Sequence, residues 1–263
     1  MKFKVKKSLG QNFLIDTNII NKIVNLGSIK NEDIVLEIGP GTGNLSEKIL
    51  LKKPKKLTLI EKDKNLSEIL SKKFGEKIHL VNKDFLNLSE TFFLDKSMIA
   101  FGNLPYNVST QILAKIIKIK DLEQKFKILI FMFQKEVADR IVAKKDSKNY
   151  GRLSILANWR LNIKKIMNIG PKSFYPSPKI ESTILFFEPK KKYFKFEDVN
   201  NLEKVTNIFF NQRRKMIKKP LNILFKKPQP IINKLKLDLN SRPQNLSPEN
   251  YFEICSEFEK GLN

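Results

Sequence analysis

Asn103-Leu104-Pro105-Tyr106 carries the most chemistry of any four residues in this chain. An exocyclic amine on a flat base needs two hydrogen-bond acceptors and a ring face. Asn103 Oδ1 and the Leu104 carbonyl can accept its two hydrogens, Pro105 stiffens the turn and Tyr106 offers a face for stacking. The run follows the apolar stretch 98–102 and precedes a helical pattern of Val108, Ile112, Leu113 and Ile116. It therefore belongs at the carboxyl end of a strand, where ligands bind in open α/β sheets. A strand-to-helix loop that uses proline as punctuation is the other reading of these four residues taken alone.

Upstream, the apolar run 34–38 leads into Gly39-Pro40-Gly41-Thr42-Gly43. Glycines there let a ligand approach the backbone closely. No Gly-Lys-Ser/Thr follows, so this is not a phosphate loop. The spacing G-x-G-x-G, with Glu37 two positions ahead of it, is not the dinucleotide fingerprint either. Glu61 ends the next apolar run, and a carboxylate about 20 positions past a glycine loop can bind both ribose hydroxyls. Asp84 follows the third run and could accept an adenine amine. Glycine loop, Glu61, Asp84 and Asn103 each come just after a strand, which describes one adenosine-containing cofactor lying across one sheet edge.

The elements that must hold these residues follow from the hydrophobic pattern. Asp16 is placed to cap a helix whose Ile19, Ile20, Ile23 and Val24 share a face. Strands at 34–38, 57–61, 78–82, 98–102 and 127–133 alternate with helices, which predicts a parallel, doubly wound α/β sheet. Arg152 to Arg160 reads as a further helix. Strands near 163–169 and 180–187 flank Phe174 and can pair as an antiparallel hairpin. Composition shifts at residues 188–192, and beyond it only short amphipathic helices remain, over 199–225, 228–237 and 248–260, broken by prolines. Two domains are expected, 1–189 and a small basic helical domain at 190–263.

The 263 residues carry 50 basic and 27 acidic side chains, a formal net charge of +23. Only six of the cations are arginine, a bias an A/T-rich genome also produces, yet the acids do not rise with the lysines. A polyanionic partner is the better reading. Lys4, Lys6 and Lys7 lie in a segment without acids. The densest cluster is Arg213, Arg214, Lys215, Lys218 and Lys219, which Phe209, Phe210, Met216 and Ile217 would crowd together by packing inward. Like charges held that close destabilise a fold unless phosphates are expected. One cysteine excludes an intrachain disulfide, and a single histidine argues against a Cys/His zinc site or a histidine-based triad. No metal is expected. No apolar run reaches the ~18 residues of a membrane span, and the amino terminus lacks the apolar core of a signal peptide. The motif at residue 10 begins too early for a transit peptide to precede it, so a cytoplasmic location is expected.

With Gly10-Gln11-Asn12-Phe13-Leu14 near the start and residues 174–182, Phe-Tyr-Pro-Ser-Pro-Lys-Ile-Glu-Ser, downstream, these motifs resemble the ribosomal RNA adenine dimethyltransferases. The likeness runs from about Lys7 to the last helix. It implies a Rossmann-like methyltransferase sheet of seven strands, its last pair an antiparallel hairpin. It also implies S-adenosyl-L-methionine as cofactor, held by Asn12, Leu14, Gly39, Glu61, Asp84 and Asn103, with Gly41 and Gly43 in the same glycine loop. Asn103, Leu104, Pro105 and Tyr106 would act on the target adenine, and Phe174 matches the family's second aromatic contact. A core residue of the hairpin is the other reading of Phe174.

Leu104 and the Pro40-Gly41-Thr42 loop look like the small-subunit branch, whose product is two adjacent dimethyladenosines in a hairpin loop near the 3′ end of 16S rRNA, made during subunit biogenesis. The implied partner is 16S rRNA within the small subunit or its precursor, met by a monomer. Two other readings stand beside this: a large-subunit enzyme of the macrolide-resistance type, and a ribosome-assembly protein that binds without catalysis. An NAD-dependent dehydrogenase would fit the sheet but not the glycine spacing.

Overall fold

The computed structural model describes residues 11–261, so Gly10 and the basic positions Lys4, Lys6 and Lys7 lie outside the described residues. Nine strands occur among these: β1 Phe13–Leu14, β2 Ile34–Ile38, β3 Lys56–Ile60, β4 His79–Val81, β5 Met98–Asn103, β6 Phe126–Gln134, β7 Leu161–Ile169, β8 Phe174–Tyr175 and β9 Ser182–Pro189. Seven form one sheet in the order β4-β3-β2-β5-β6-β9-β7. From β4 to β6 the neighbours are parallel, in registers such as Ile38↔Ile60 and Glu37↔Phe101. β9 then runs antiparallel to β6, with Ile130 opposite Phe186.

The middle strands are apolar almost throughout because helices cover both faces of a parallel sheet. Helix Thr17–Leu26 shows how one such cover is built. Asp16 accepts the backbone N–H groups of Asn18 and Ile19 at its start, and Ile20, Ile23 and Val24 face the core. There they meet Val35, Leu59, Ile99, Phe101 and Ile130. Each fully buried side chain of this size contributes about 1.5–3 kcal/mol.

β1 and β8 form a separate two-stranded antiparallel sheet, pairing Phe13 with Tyr175 and Leu14 with Phe174. It joins the amino-terminal motif to the downstream proline-rich motif.

The chain divides into two compact units. The first takes the residues up to Ala138 together with Asn162–Pro189. The second is not the tail alone: Asp139–Leu161 belongs with the residues from Lys190 onward. Within this second unit, helix Arg152–Arg160 packs on helix Asn201–Phe210, and both pack on helix Pro248–Lys260. Tyr150, Leu202, Val205, Phe209, Tyr251 and Cys255 are fully buried in its core. Trp159 is buried too, and its indole N–H donates to the Phe194 carbonyl. Sequence spacing placed residues 139–161 with the sheet because they follow β6 directly. The burial of Tyr150 and Trp159 is a tertiary matter that local spacing does not encode.

Candidate active site

All four candidate positions lie at the carboxyl edge of the sheet. Gly39 follows β2, Glu61 follows β3, Asp84 comes three residues after β4, and Asn103 is the last residue of β5. β2 lies between β3 and β5, the point where strand order reverses and open sheets form a crevice. A cavity opens there. Its wall includes Asn12, Leu14, Gly39, Gly41, Glu61 and Asp84 together with the whole stretch from Asn103 to Tyr106.

The Asn103 amide nitrogen donates to the Asn12 carbonyl at 2.8 Å. A carbonyl only accepts, so the atom facing it must be the amide nitrogen, and the orientation of Asn103 is fixed. Oδ1 then faces away from Asn12, and no donor among the described residues is bonded to it. β1 is itself held to the start of the helix that follows the glycine loop, because Asn44 Nδ2 donates to the Leu14 carbonyl at 2.8 Å.

Glu61 is almost fully buried. One carboxylate oxygen accepts the Gly41 N–H at 3.1 Å and the other the Asp63 N–H at 2.9 Å. Burial pushes its pKa up, against backbone hydrogen bonds from Asp63, Gly41 and Lys62. Each oxygen keeps a lone pair for a further donor. Gly41 has φ +60°, and a Cβ there would come within 2.7 Å of the Phe13 ring, so the loop must be bare backbone at this point. Asp84 is partly buried, which raises its pKa, but the ion pair with Lys62 and the Leu86 N–H outweigh this and hold it below the usual carboxylate range.

The sequence model of the ribosomal RNA adenine dimethylase family matches residues 2–260. The chain belongs to that family. A relative from Pelagibacter ubique named Ribosomal RNA small subunit methyltransferase A is 53% identical over 256 residues, covering 97% of each chain. One of the same name from Francisella tularensis subsp. novicida is 40% identical over 97% of this chain and 98% of its own. Among solved structures, a dimethyladenosine transferase from Plasmodium falciparum is similar over 94% of this chain and 98% of its own, with 28% identity and TM-score 0.81. A 23S rRNA methyltransferase, ErmE, covers 94% and 99% at 20% identity and TM-score 0.69, which is a likeness of fold alone. As a dimethylase of this family the protein is an enzyme, a methyltransferase acting on adenine in ribosomal RNA.

Not every position that motif reading assigned to the dimethylase site lies on the cavity wall. Gly43 lies off the wall; with φ +78° it turns the loop into helix Asn44–Leu50. Phe174 is also off it, 3% exposed and packed with Leu14 and Ile23 in the core. Pairing with Leu14 across β1 and β8 packs it behind Leu14, which itself borders the cavity. Tyr106 does border the cavity, half-buried, and its hydroxyl shares a hydrogen bond with Ser182 Oγ at the start of β9.

Among the wall residues without an assigned role is one buried carboxylate. Glu37 is fully buried at the end of β2, and the Ser46 hydroxyl donates to it at 2.6 Å. Burial pushes its pKa up to about 8, Ser46 opposes this, and the nearby Glu61 carboxylate adds to it. The signal in the sequence was a carboxylate inside an otherwise apolar parallel strand.

Of the basic cluster, Arg214, Lys215, Lys218 and Lys219 are exposed. Arg213 instead donates to the Lys148 carbonyl at 2.5 Å and to Gln244 at 3.2 Å. Met216 was expected to point inward and is 55% exposed, while Ile217 is fully buried. Among the described residues no helix is long and apolar enough to cross a membrane, and no three His, Cys, Asp or Glu side chains gather as a metal ion would need.

Proposed function

We propose that the enzyme uses S-adenosyl-L-methionine to convert two adjacent adenosines, in a hairpin loop near the 3′ end of 16S rRNA, to N6,N6-dimethyladenosine. It does so as a cytoplasmic monomer on the small subunit or its precursor. The names of the 53% and 40% identical relatives favour the small subunit. The residues fit the cofactor. The backbone at Gly39 and Gly41 is bare, Glu61 has a lone pair left on each oxygen for the two ribose hydroxyls, and Asp84 can take an adenine amine. Buried and half-buried carboxylates along one wall suit a cationic ligand.

The anchored Asn103 amide carries the proposal. When bound, the cofactor supplies an electrophilic methyl group. Adenine N6 is a poor nucleophile because its lone pair is delocalised into the ring. Asn103 Oδ1 and the Leu104 carbonyl accept its two N–H groups and favour a pyramidal nitrogen. The protein thus contributes position and orientation, and Asn103 is ready because Asn12 already holds it. No strong base is needed, since a protonated methylated amine sheds its proton readily to water. The target base must be outside a helix or flipped from it.

The test is incubation with tritiated S-adenosylmethionine and unmethylated small subunits, followed by mapping and nucleoside mass spectrometry. Two adjacent labelled dimethyladenosines in 16S rRNA are expected. Label confined to 23S rRNA would overturn the substrate assignment, and a product stopping at monomethyladenosine would overturn the dimethylation, showing a pocket too tight for the second transfer.

A further inference from the structure

Tyr106 lies in the turn between β5 and helix Ser109–Lys118, with its half-buried ring on the cavity wall. The turn itself is pinned. The Val108 N–H donates to the Pro105 carbonyl at 3.1 Å, and the Ser109 hydroxyl to the Tyr106 carbonyl at 3.3 Å. The far end of the ring is pinned as well, because the Tyr106 hydroxyl shares a hydrogen bond with Ser182 Oγ. A phenol held only at Cβ still turns about two bonds, and stacking a base on it must stop that motion. Held at its oxygen too, the ring presents one plane in advance.

Ser182 is fully buried and lies 76 positions downstream of Tyr106. The antiparallel direction of β9 brings it here. β6 ends at Gln134 on the carboxyl edge of the sheet, and β9 begins opposite it, with Ser182 paired to Gln134. A parallel strand in that place would begin at the other edge. Alternation along β9 then settles which way each side chain turns. Ser182 shares a face with Ile184, which borders the cavity. Thr183 takes the other face and donates its hydroxyl to Asn168 Oδ1 at 2.9 Å. The start of β9 is fixed from its flank, since the Lys135 N–H donates to the Glu181 carbonyl at 2.9 Å. Ser182 is thus rigidly mounted, and it is not itself on the cavity wall.

We propose that Ser182 is a positioning residue: by holding the Tyr106 hydroxyl it sets the plane of the ring against which the target adenine stacks. This rests on the methyl-transfer reading above. It gives the last residue of the downstream proline-rich motif a part in the reaction without contact to rRNA or cofactor.

Ser182→Ala should lower kcat/KM for unmethylated small subunits by roughly fivefold, the size of one neutral hydrogen bond. Tyr106→Phe removes the same bond from the other side, keeps the ring face, and should lose the same factor. The double variant should lose no more than either single variant, because there is one interaction to remove. The calorimetric Kd for S-adenosylmethionine should not move. Subunit affinity, spread over many phosphate contacts, should stay within about twofold of wild type. Melting curves set an assay temperature at which every variant is folded. Wild-type kcat/KM in either single variant would overturn the assignment. So would losses that multiply in the double variant, since Ser182 would then act by a route other than Tyr106. A weakened Kd for S-adenosylmethionine in Ser182→Ala would also overturn it and make the residue a support of the sheet edge. Each of these outcomes leaves methyl transfer intact, whereas a wild-type enzyme that labels no small subunits would sink both readings together.

Discussion

The Asn103 amide nitrogen and the Asn12 carbonyl, 91 positions apart in sequence, lie 2.8 Å from each other. This contact turns a residue with two possible orientations into one with a fixed acceptor. It also ties the amino-terminal motif to the tetrapeptide, which gives both a reason to exist in one chain. Asn103→Ala should lower kcat by roughly a hundredfold or more, the usual cost of a positioned polar partner, while most of the affinity for S-adenosylmethionine remains. Asn103→Asp should not rescue, because a carboxylate oxygen would then face the Asn12 carbonyl. Near-normal turnover of either variant at saturating substrate would remove Asn103 from the mechanism.

Glu61 should matter to binding rather than to the chemical step. Ribose recognition is the same in ground and transition states, so its loss raises Kd and leaves kcat alone. Glu61→Gln is the cleaner variant, because it keeps an acceptor for one of the two backbone N–H groups that Glu61 now holds. The Kd for S-adenosylmethionine should rise roughly tenfold or more, as expected for charged hydrogen bonds. An unchanged Kd by calorimetry would mean that the carboxylate serves only the loop.

Glu37 should make stability depend on pH. Its folded-state pKa of about 8 lies above the ordinary 4.5, because burial disfavours the charge. Between those values the folded protein holds a proton that the unfolded chain has released, so stability falls as pH rises through this window. Above about pH 8 the contribution is gone and the curve flattens. Glu37→Gln keeps an acceptor for Ser46 and has no proton to lose. The difference in melting temperature between wild type and variant should therefore shift against the wild type from pH 5 to pH 8. Parallel curves would show that Glu37 is ionised in the folded protein.

The basic cluster should separate into two kinds of residue. Neutralising Arg214, Lys215, Lys218 and Lys219 should weaken subunit binding and flatten its salt dependence, with cofactor binding intact, by roughly 0.7–0.9 log unit per lost phosphate contact. Arg213→Ala should instead lower the melting temperature, since it loses bonds to Lys148 and Gln244. Roughly 1–2 kcal/mol of stability is at stake there. An unchanged salt slope in the fourfold variant would return those four cations to an ordinary solvated face.

By itself the sequence determined whatever depends on neighbours a few positions apart. The Asp16 cap, the apolar runs that became β2 to β6, the helix at Arg152–Arg160 and the order of glycine loop, Glu61, Asp84 and Asn103 are all of this kind. Strand periodicity plus right-handed connection is enough to bring those four to one sheet edge. The tertiary structure decided what depends on a partner far along the chain. It put Phe174 in the core and Tyr175 in solvent, because pairing with Leu14 and Phe13 settles which way each ring turns. It exposed Met216, engaged Arg213 with the Lys148 carbonyl, and gave residues 139–161 to the second unit. A period of two or 3.6 says that alternate residues face opposite ways. Only the element packed against them says which of the two ways is inside.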